Sequence, residues 1–270
     1  MNYSNSEQIK FEHLPFEIRQ KKENSMVQLG LIVLETDLTI ESEMHQFLSQ
    51  NAGVSPSFSL MHTRIPCDDT VNAKNLSMME EKFEKALKLF PKNYEFDVIG
   101  YGCTSASLLI GEEKILKIVK SAVSSKEVTT PMTAVKRGLK SLKVEKIGYL
   151  APYVSNIAQR MCHNLAEHGF DIAASATFGE DKDSVVGNIC PESILKAIEA
   201  LTLQQKQIDA IFVACTSLKC ASIISKAEEK LGIPIISSNS ALAWDMARLA
   251  RLKVSEMGKG SLFSGASYYV

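Results

Sequence analysis

Short apolar runs recur along this chain, each stopping at a polar or small-residue elbow, and they restrict the fold more than any other feature. Val27-Gln28-Leu29-Gly30-Leu31-Ile32-Val33-Leu34 stops at Glu35-Thr36-Asp37, and Asp97-Val98-Ile99-Gly100-Tyr101-Gly102 stops at Cys103. Lys146-Ile147-Gly148-Tyr149-Leu150 stops at Ala151-Pro152-Tyr153, and Ala210-Ile211-Phe212-Val213-Ala214 stops at Cys215. Continuous runs of this length read as strands buried on both faces, which belong to parallel sheets covered by helices. Further strands are expected at 57–64, 171–176 and 234–237.

Helical patterns fill the spaces between. Asp37 and Thr39 are candidate N-caps for a helix through Ile40, Met44, Phe47 and Leu48. Leu76, Met79, Phe83, Leu87 and Phe90 recur at spacings of three and four, which predicts a helix over 75–90. Other helices are expected over 156–169, 191–205, from the Cys215 elbow to about Gly232, and over 240–249. The alternation predicts an α/β chain of two similar lobes, with parallel sheets flanked by helices. We assign 27–129 plus 238–262 to the first lobe, 130–237 to the second, and 1–26 to a polar N-terminal extension.

Composition removes several function classes. The 270 residues carry a net charge of −1, so nothing points to nucleic acid or an anionic membrane surface. No apolar run is long enough to cross a bilayer, and the N-terminus lacks the pattern of a secretory signal, so a cytoplasmic protein is expected. In that compartment the six cysteines are expected as thiols. No Cys-x-x-Cys occurs, and His163 and His168 lie five apart, off a common helix face, so no metal site is expected. There is no glycine-rich nucleotide motif.

Cys-Thr-Ser is written twice, at Cys103-Thr104-Ser105 and at Cys215-Thr216-Ser217. A single cysteine at a strand end is most simply a small buried residue. Two copies at equivalent ends of two strands favour one shared site, because ligands of such sheets bind beyond the carboxyl ends of the strands. A thiol followed by a helix N-terminus is favoured as thiolate, and the neighbouring hydroxyls add donors for an anion. Gly102 would permit a tight bend. Tyr153 reads equally as a packing residue or as a donor to a substrate oxygen. Asp37 reads first as a helix cap, or as a group facing a substrate nitrogen. Arg64 is more simply a solvated strand end, Asn239 a cap of the final helix, and Trp244 packing between lobes. Cys67, Cys162, Cys190 and Cys220 read as packing.

These residues resemble the Asp/Glu/hydantoin racemase superfamily, within it the maleate cis-trans isomerase and arylmalonate decarboxylase branch, with the nearest likeness to ectoine-utilisation A proteins. The stretches that carry it are Gly30–Val33 through Asp37–Glu41, Tyr101–Ser107, Thr130–Ala134, Pro152-Tyr153, Cys215–Leu218 and Ser238–Trp244. The resemblance implies a pseudo-twofold Asp/Glu-racemase-like fold, a homodimer, no cofactor, and a small carboxylate or amino-acid-like substrate. It implies catalytic roles for Cys103 and Cys215, and substrate-binding roles for Asp37, Thr104, Ser105, Tyr153, Thr216 and Ser217. Racemases of this kind move a proton between two cysteines. The isomerases add one cysteine to an alkene, and the decarboxylases keep only the second cysteine, with glycine in place of the first. Retention of Cys103 therefore favours an isomerase or racemase over a decarboxylase using Cys215 alone. A non-catalytic carboxylate binder is the remaining alternative. Where maleate isomerases have asparagine in the first elbow this chain has Asp37, which fits a substrate bearing an amino or amide group.

Overall fold

Strand β1 (Val27–Leu34) is buried from Gln28 onward, and parallel neighbours on both sides explain why. The computed structural model describes residues 11–18, 26–49, 58–70, 82–204 and 207–265. In the first sheet β2 (Phe58–Ile65), β1, β3 (Phe96–Gly102) and β4 (Ser125–Thr129) lie in that order, all parallel. In the second, β6 (Asp171–Glu180), β5 (Lys146–Tyr153), β7 (Ala210–Val213) and β8 (Ile235–Ser237) repeat the same spatial order, again parallel. Both sheets thus reverse their winding beside the opening strand. In the first, the reversal lies between β1 and β3; in the second, between β5 and β7. Ligands of open parallel sheets sit at such reversals.

The helices are α1 (Ile40–Leu48), α2 (Thr104–Ile110), α3 (Glu112–Ala122), α4 (Pro131–Ser141), α5 (Ser155–Glu167), α6 (Asp183–Val186), α7 (Pro191–Gln204), α8 (Ile224–Leu231), α9 (Ser238–Leu249) and α10 (Ser261–Ser264). The helix expected over 75–90 is seen at 82–87; its expected beginning lies outside the described residues. Strand β5 runs on to Tyr153 rather than ending at Leu150. Its partner β7 has already ended at Val213, and the register with β6 shifts between Ala151 and Tyr153. Pro152 is tolerated there because no ladder hydrogen bond is asked of its nitrogen.

Helix α9 ties the halves together. It packs on α1, α4, β3 and β8, and every residue from Ser238 to Ala247 is buried. A helix buried all round must satisfy its polar side chains internally. Asp245 does so with the hydroxyl of Thr129 at 2.6 Å and the guanidinium groups of Arg137 and Arg248, both at 2.8 Å. One apolar cluster accordingly runs from Leu29, Leu31 and Val33 through Ile40 and Phe47 of α1 and Trp244 of α9 into the second sheet. The other face of the first sheet, with Ile32, Ile99 and Tyr101, packs separately on Phe83, Leu87, Ile115 and Val119.

Candidate active site

The first elbow turns at Leu34, whose carbonyl accepts the Asp37 N–H at 3.1 Å. Asp37 Oδ1 then accepts the N–H groups of Thr39 and Ile40, at 2.8 and 2.9 Å, and so caps α1. Burial raises the Asp37 pKa against the lowering effect of those two bonds. Arg64 does not reach a ligand position: its guanidinium holds the carbonyls of Leu34 and Asp37, each at 3.0 Å, and pairs with Glu41.

Cys103 follows Gly102 and is itself the N-cap of α2, its sulfur accepting the Ala106 N–H at 3.4 Å. The Ser105 hydroxyl lies 3.6 Å from the same sulfur. Gly102 is required for close packing, not for bending. A side chain there would meet Ile40 Cδ1 at 2.5 Å and the Ile32 carbonyl at 3.0 Å. Burial pushes the Cys103 thiol up to about 12, with the charges of Asp183 and Cys67 acting the same way and the Ala106 and Ser105 contacts opposing.

Cys215 is built differently. No helix follows it directly; a turn runs through Thr216–Leu218 and α8 begins only at Ile224. The expected helix N-terminus at this thiol is therefore absent. Instead Cys215 has φ = 105°, in the left-handed region that disfavours side chains. Its N–H donates to Ser238 Oγ at 3.0 Å, and Ala214 N–H donates to the Leu150 carbonyl at 2.8 Å, which hold the turn from both sides. Burial raises the Cys215 thiol well above its ordinary value, and Asp183 adds to this. The Ser217 N–H and the Tyr153 hydroxyl act against it by bonding to the sulfur.

The two elbows interlock. Thr104 Oγ1 donates to Ser238 Oγ at 2.8 Å, so one oxygen receives both the first elbow's hydroxyl and the second elbow's N–H. The Thr216 hydroxyl lies between the Gly102 carbonyl, 3.4 Å away, and the Asp37 carboxylate, whose charge it favours. Asn239 does not cap α9; Ser237 and Ser240 form its capping box. The Asn239 amide instead donates to Glu43 Oε2 at 2.9 Å and to the Thr216 carbonyl at 2.8 Å. Glu43 Oε1 accepts the N–H groups of Cys220 and Ala221, at 2.5 and 2.7 Å, so a first-lobe helix fixes the second elbow.

Cys103, Thr104, Ser105, Tyr153, Cys215, Thr216 and Ser217 all line one narrow cavity of about 20 Å³. Asp37 is not among the lining residues: its Oδ1 caps α1, and its buried Oδ2 has no hydrogen-bond partner among the described residues. The cavity wall also holds residues given no functional role in the sequence reading, among them Thr36, Cys67, Asp68 and Asp183. Cys67, read as packing, has its sulfur 3.3 Å from Thr36 Oγ1. Asp183, at the first position of α6, accepts the hydroxyls of Thr36 at 2.5 Å and Ser217 at 2.7 Å.

A strap between the lobes places Asp183. The Asp183 N–H donates to the Asp69 carbonyl at 2.9 Å, Asp69 Oδ1 and Oδ2 receive the N–H and hydroxyl of Ser184, and Thr70 bridges to Lys182. The signal for Asp183 was its place just after β6, at the carboxyl end of a strand. Among the described residues no cluster of three His, Cys, Asp or Glu side chains could hold a metal ion, and no helix is long and apolar enough to cross a membrane.

The chain as a whole is similar to known proteins. The maleate isomerase of Nocardia farcinica is 26% identical over 243 residues, 87% of this chain and 94% of the relative. The arylmalonate decarboxylase of Bordetella bronchiseptica is 26% identical over 122 residues, 45% of this chain and 51% of the relative. A solved structure of a cysteine-to-serine variant of the Nocardia farcinica maleate cis-trans isomerase, with a covalently bound succinylcysteine intermediate, superposes with a TM-score of 0.81. It is 25% identical and covers 90% of this chain and 100% of that one. The model of the arylmalonate decarboxylase family matches residues 77–263, more than half of the sequence, and the chain belongs to that family.

Proposed function

We propose that the protein is a cofactor-independent isomerase of a small carboxylate, with Cys103 and Cys215 sharing the chemistry. The observation that supports this best is the meeting of the two thiols, one from each sheet, in the wall of a single cavity. Likeness to maleate isomerases over most of the chain agrees with it.

In this reading the substrate carboxylate takes the Ser105 hydroxyl and backbone N–H groups of the elbows, and Tyr153 turns from the Cys215 sulfur to donate to it. Both thiols begin protonated, because burial opposes the thiolate. One of them gives its proton to solvent before the chemistry while the other keeps its own, and the pair titrates as a coupled unit. The thiolate either adds to one carbon of a conjugated double bond or takes the proton α to the carboxylate. In each case an electron pair moves into the carboxylate, which becomes an enediolate held by Tyr153 and the elbow donors. In the addition route the new single bond rotates, the double bond re-forms and the C–S bond breaks to give back the thiolate. In the proton route the opposite thiol returns a proton to the other face, so the first sulfur ends as thiol and the second as thiolate. The enzyme works in the cytoplasm and as a homodimer in this reading, as composition and the superfamily resemblance suggest.

Proton NMR in D₂O tests the reaction class. Wild-type protein should interconvert a small carboxylate or exchange its carbon-bound proton, with no carbon dioxide released. A decarboxylase needing Cys215 alone would keep full turnover in Cys103→Ala. A binder would show thermal stabilisation by ligand and no exchange.

A further inference from the structure

Between β7 and α8 the chain that carries Cys215 forms neither strand nor helix, so its buried backbone groups must find partners among side chains. Helix α1 of the first lobe and the start of α9 supply them. The Thr216 carbonyl accepts from the Asn239 amide at 2.8 Å, and the Ser217 carbonyl accepts from Thr39 Oγ1 at 2.9 Å. The Cys220 and Ala221 N–H groups both donate to Glu43 Oε1, at 2.5 and 2.7 Å. Glu43 Oε2 accepts from the same Asn239 amide at 2.9 Å. A carboxylate and a carbonyl can both be met only by the NH₂ side of that amide, so Glu43 also fixes which way Asn239 faces Thr216.

Helix α1 touches the other thiol's elbow as well. Ile40, one turn before Glu43, packs on Gly102, where an added Cβ would lie 2.5 Å from Ile40 Cδ1. One helix thus bears on the residue before Cys103 and on the turn after Cys215. The turn needs such support, because the φ of 105° at Cys215 persists only where the surroundings over-determine it. Glu43 is buried and does not line the cavity. We propose that Glu43 is a positioning residue for the Cys215 thiol, acting across the lobes through Asn239 and the backbone of the 216–221 turn. Helix α1 then sets the spacing of the two thiols. This rests on the two-cysteine reading of the cavity.

The test uses Glu43→Gln, which keeps the shape and an acceptor for Cys220 and Ala221 but turns a donor toward the Asn239 amide. Thr39→Val loosens the same turn more mildly and serves if Glu43→Gln fails to fold. Asp209→Asn is the control: Asp209 Oδ2 holds the N–H groups of Glu145 and Lys146, at 3.1 and 2.8 Å, at the amino end of β5. Iodoacetamide alkylation at pH 8, read by peptide mass spectrometry, needs no substrate. Glu43→Gln should raise the labelling rate of Cys215 relative to Cys103 at least tenfold, Thr39→Val at least threefold, and Asp209→Asn less than twofold. With maleate, or with aspartate where maleate is not turned over, kcat of Glu43→Gln should fall at least 20-fold and KM change less than threefold. If neither compound is turned over, labelling alone decides. An unchanged labelling ratio, or the same change in Asp209→Asn, overturns the assignment. So does an unchanged kcat in Glu43→Gln when Cys215→Ala is inactive. Full turnover in Cys215→Ala, with Cys215 still selectively unmasked by Glu43→Gln, overturns the two-cysteine reading instead.

Discussion

The Thr104 hydroxyl and the Cys215 N–H meet on one acceptor, Ser238 Oγ, at 2.8 and 3.0 Å. Both donors are largely withdrawn from solvent, because Thr104, Cys215 and Ser238 are all buried. Ser238→Ala should therefore strand two donors at once and cost roughly 2–4 kcal/mol of stability, measured by urea denaturation. The turn that aims the second thiol loosens with it, so kcat should fall at least tenfold with a smaller change in KM.

The φ of 105° at Cys215 predicts an unusual ranking of substitutions. Glycine adopts this conformation without steric cost, whereas alanine keeps the strain. Cys215→Gly should be more stable than Cys215→Ala by about 1 kcal/mol in thermal or denaturant melts. At Cys103, with φ = −151°, glycine should offer no such advantage over alanine.

Stability should fall as pH rises from about 5 to 8. Burial raises Glu43 from its ordinary value to about 7, against the bonds from Cys220, Ala221 and Asn239. A carboxyl raised in the fold stabilises it fully below the unfolded value, and the contribution disappears as pH passes through the folded one. The expected decrease is roughly 2–3 kcal/mol. Asp37, raised for the same reason, adds in the same direction. Glu43→Gln keeps an acceptor for Cys220 and Ala221 and should flatten the slope; an equally steep profile in that variant would refute the assignment.

Alkylation should separate the cysteines. Cys190 is exposed, whereas Cys103 and Cys215 are buried with raised thiols. Iodoacetamide at pH 8 should label Cys190 first by peptide mass spectrometry, with the two cavity thiols lagging at least 100-fold. Their rates should climb about tenfold per pH unit toward pH 10, since the thiolate is the reacting species.

What the sequence revealed and what it hid follow from the kinds of interaction involved. Buried parallel strands announce themselves by unbroken apolar runs, so β1, β3, β5 and β7 were legible, and with them the ends that carry Tyr153 and both cysteines. Strand β4 was not, because Ser125-Lys126-Glu127 is charged and only Val128 and Thr129 are buried. The setting of Cys215 was misread because a strained turn held by Ser238, Glu43 and Asn239 comes from contacts more than 20 residues away in the chain. The different legibility of Asp37 and Asp183 has the same reason. Capping is local and could be read at Asp37, whereas Asp183 enters the cavity only through the strap built by Asp69 and Thr70.

The shared role of the two thiols is tested most directly by comparing kcat for Cys103→Ala, Cys215→Ala and the double variant, on whichever carboxylate the wild type turns over. Residues that act as one unit are non-additive, so each single change should cost at least 1,000-fold and the double change hardly more. Full turnover in Cys103→Ala would contradict the account.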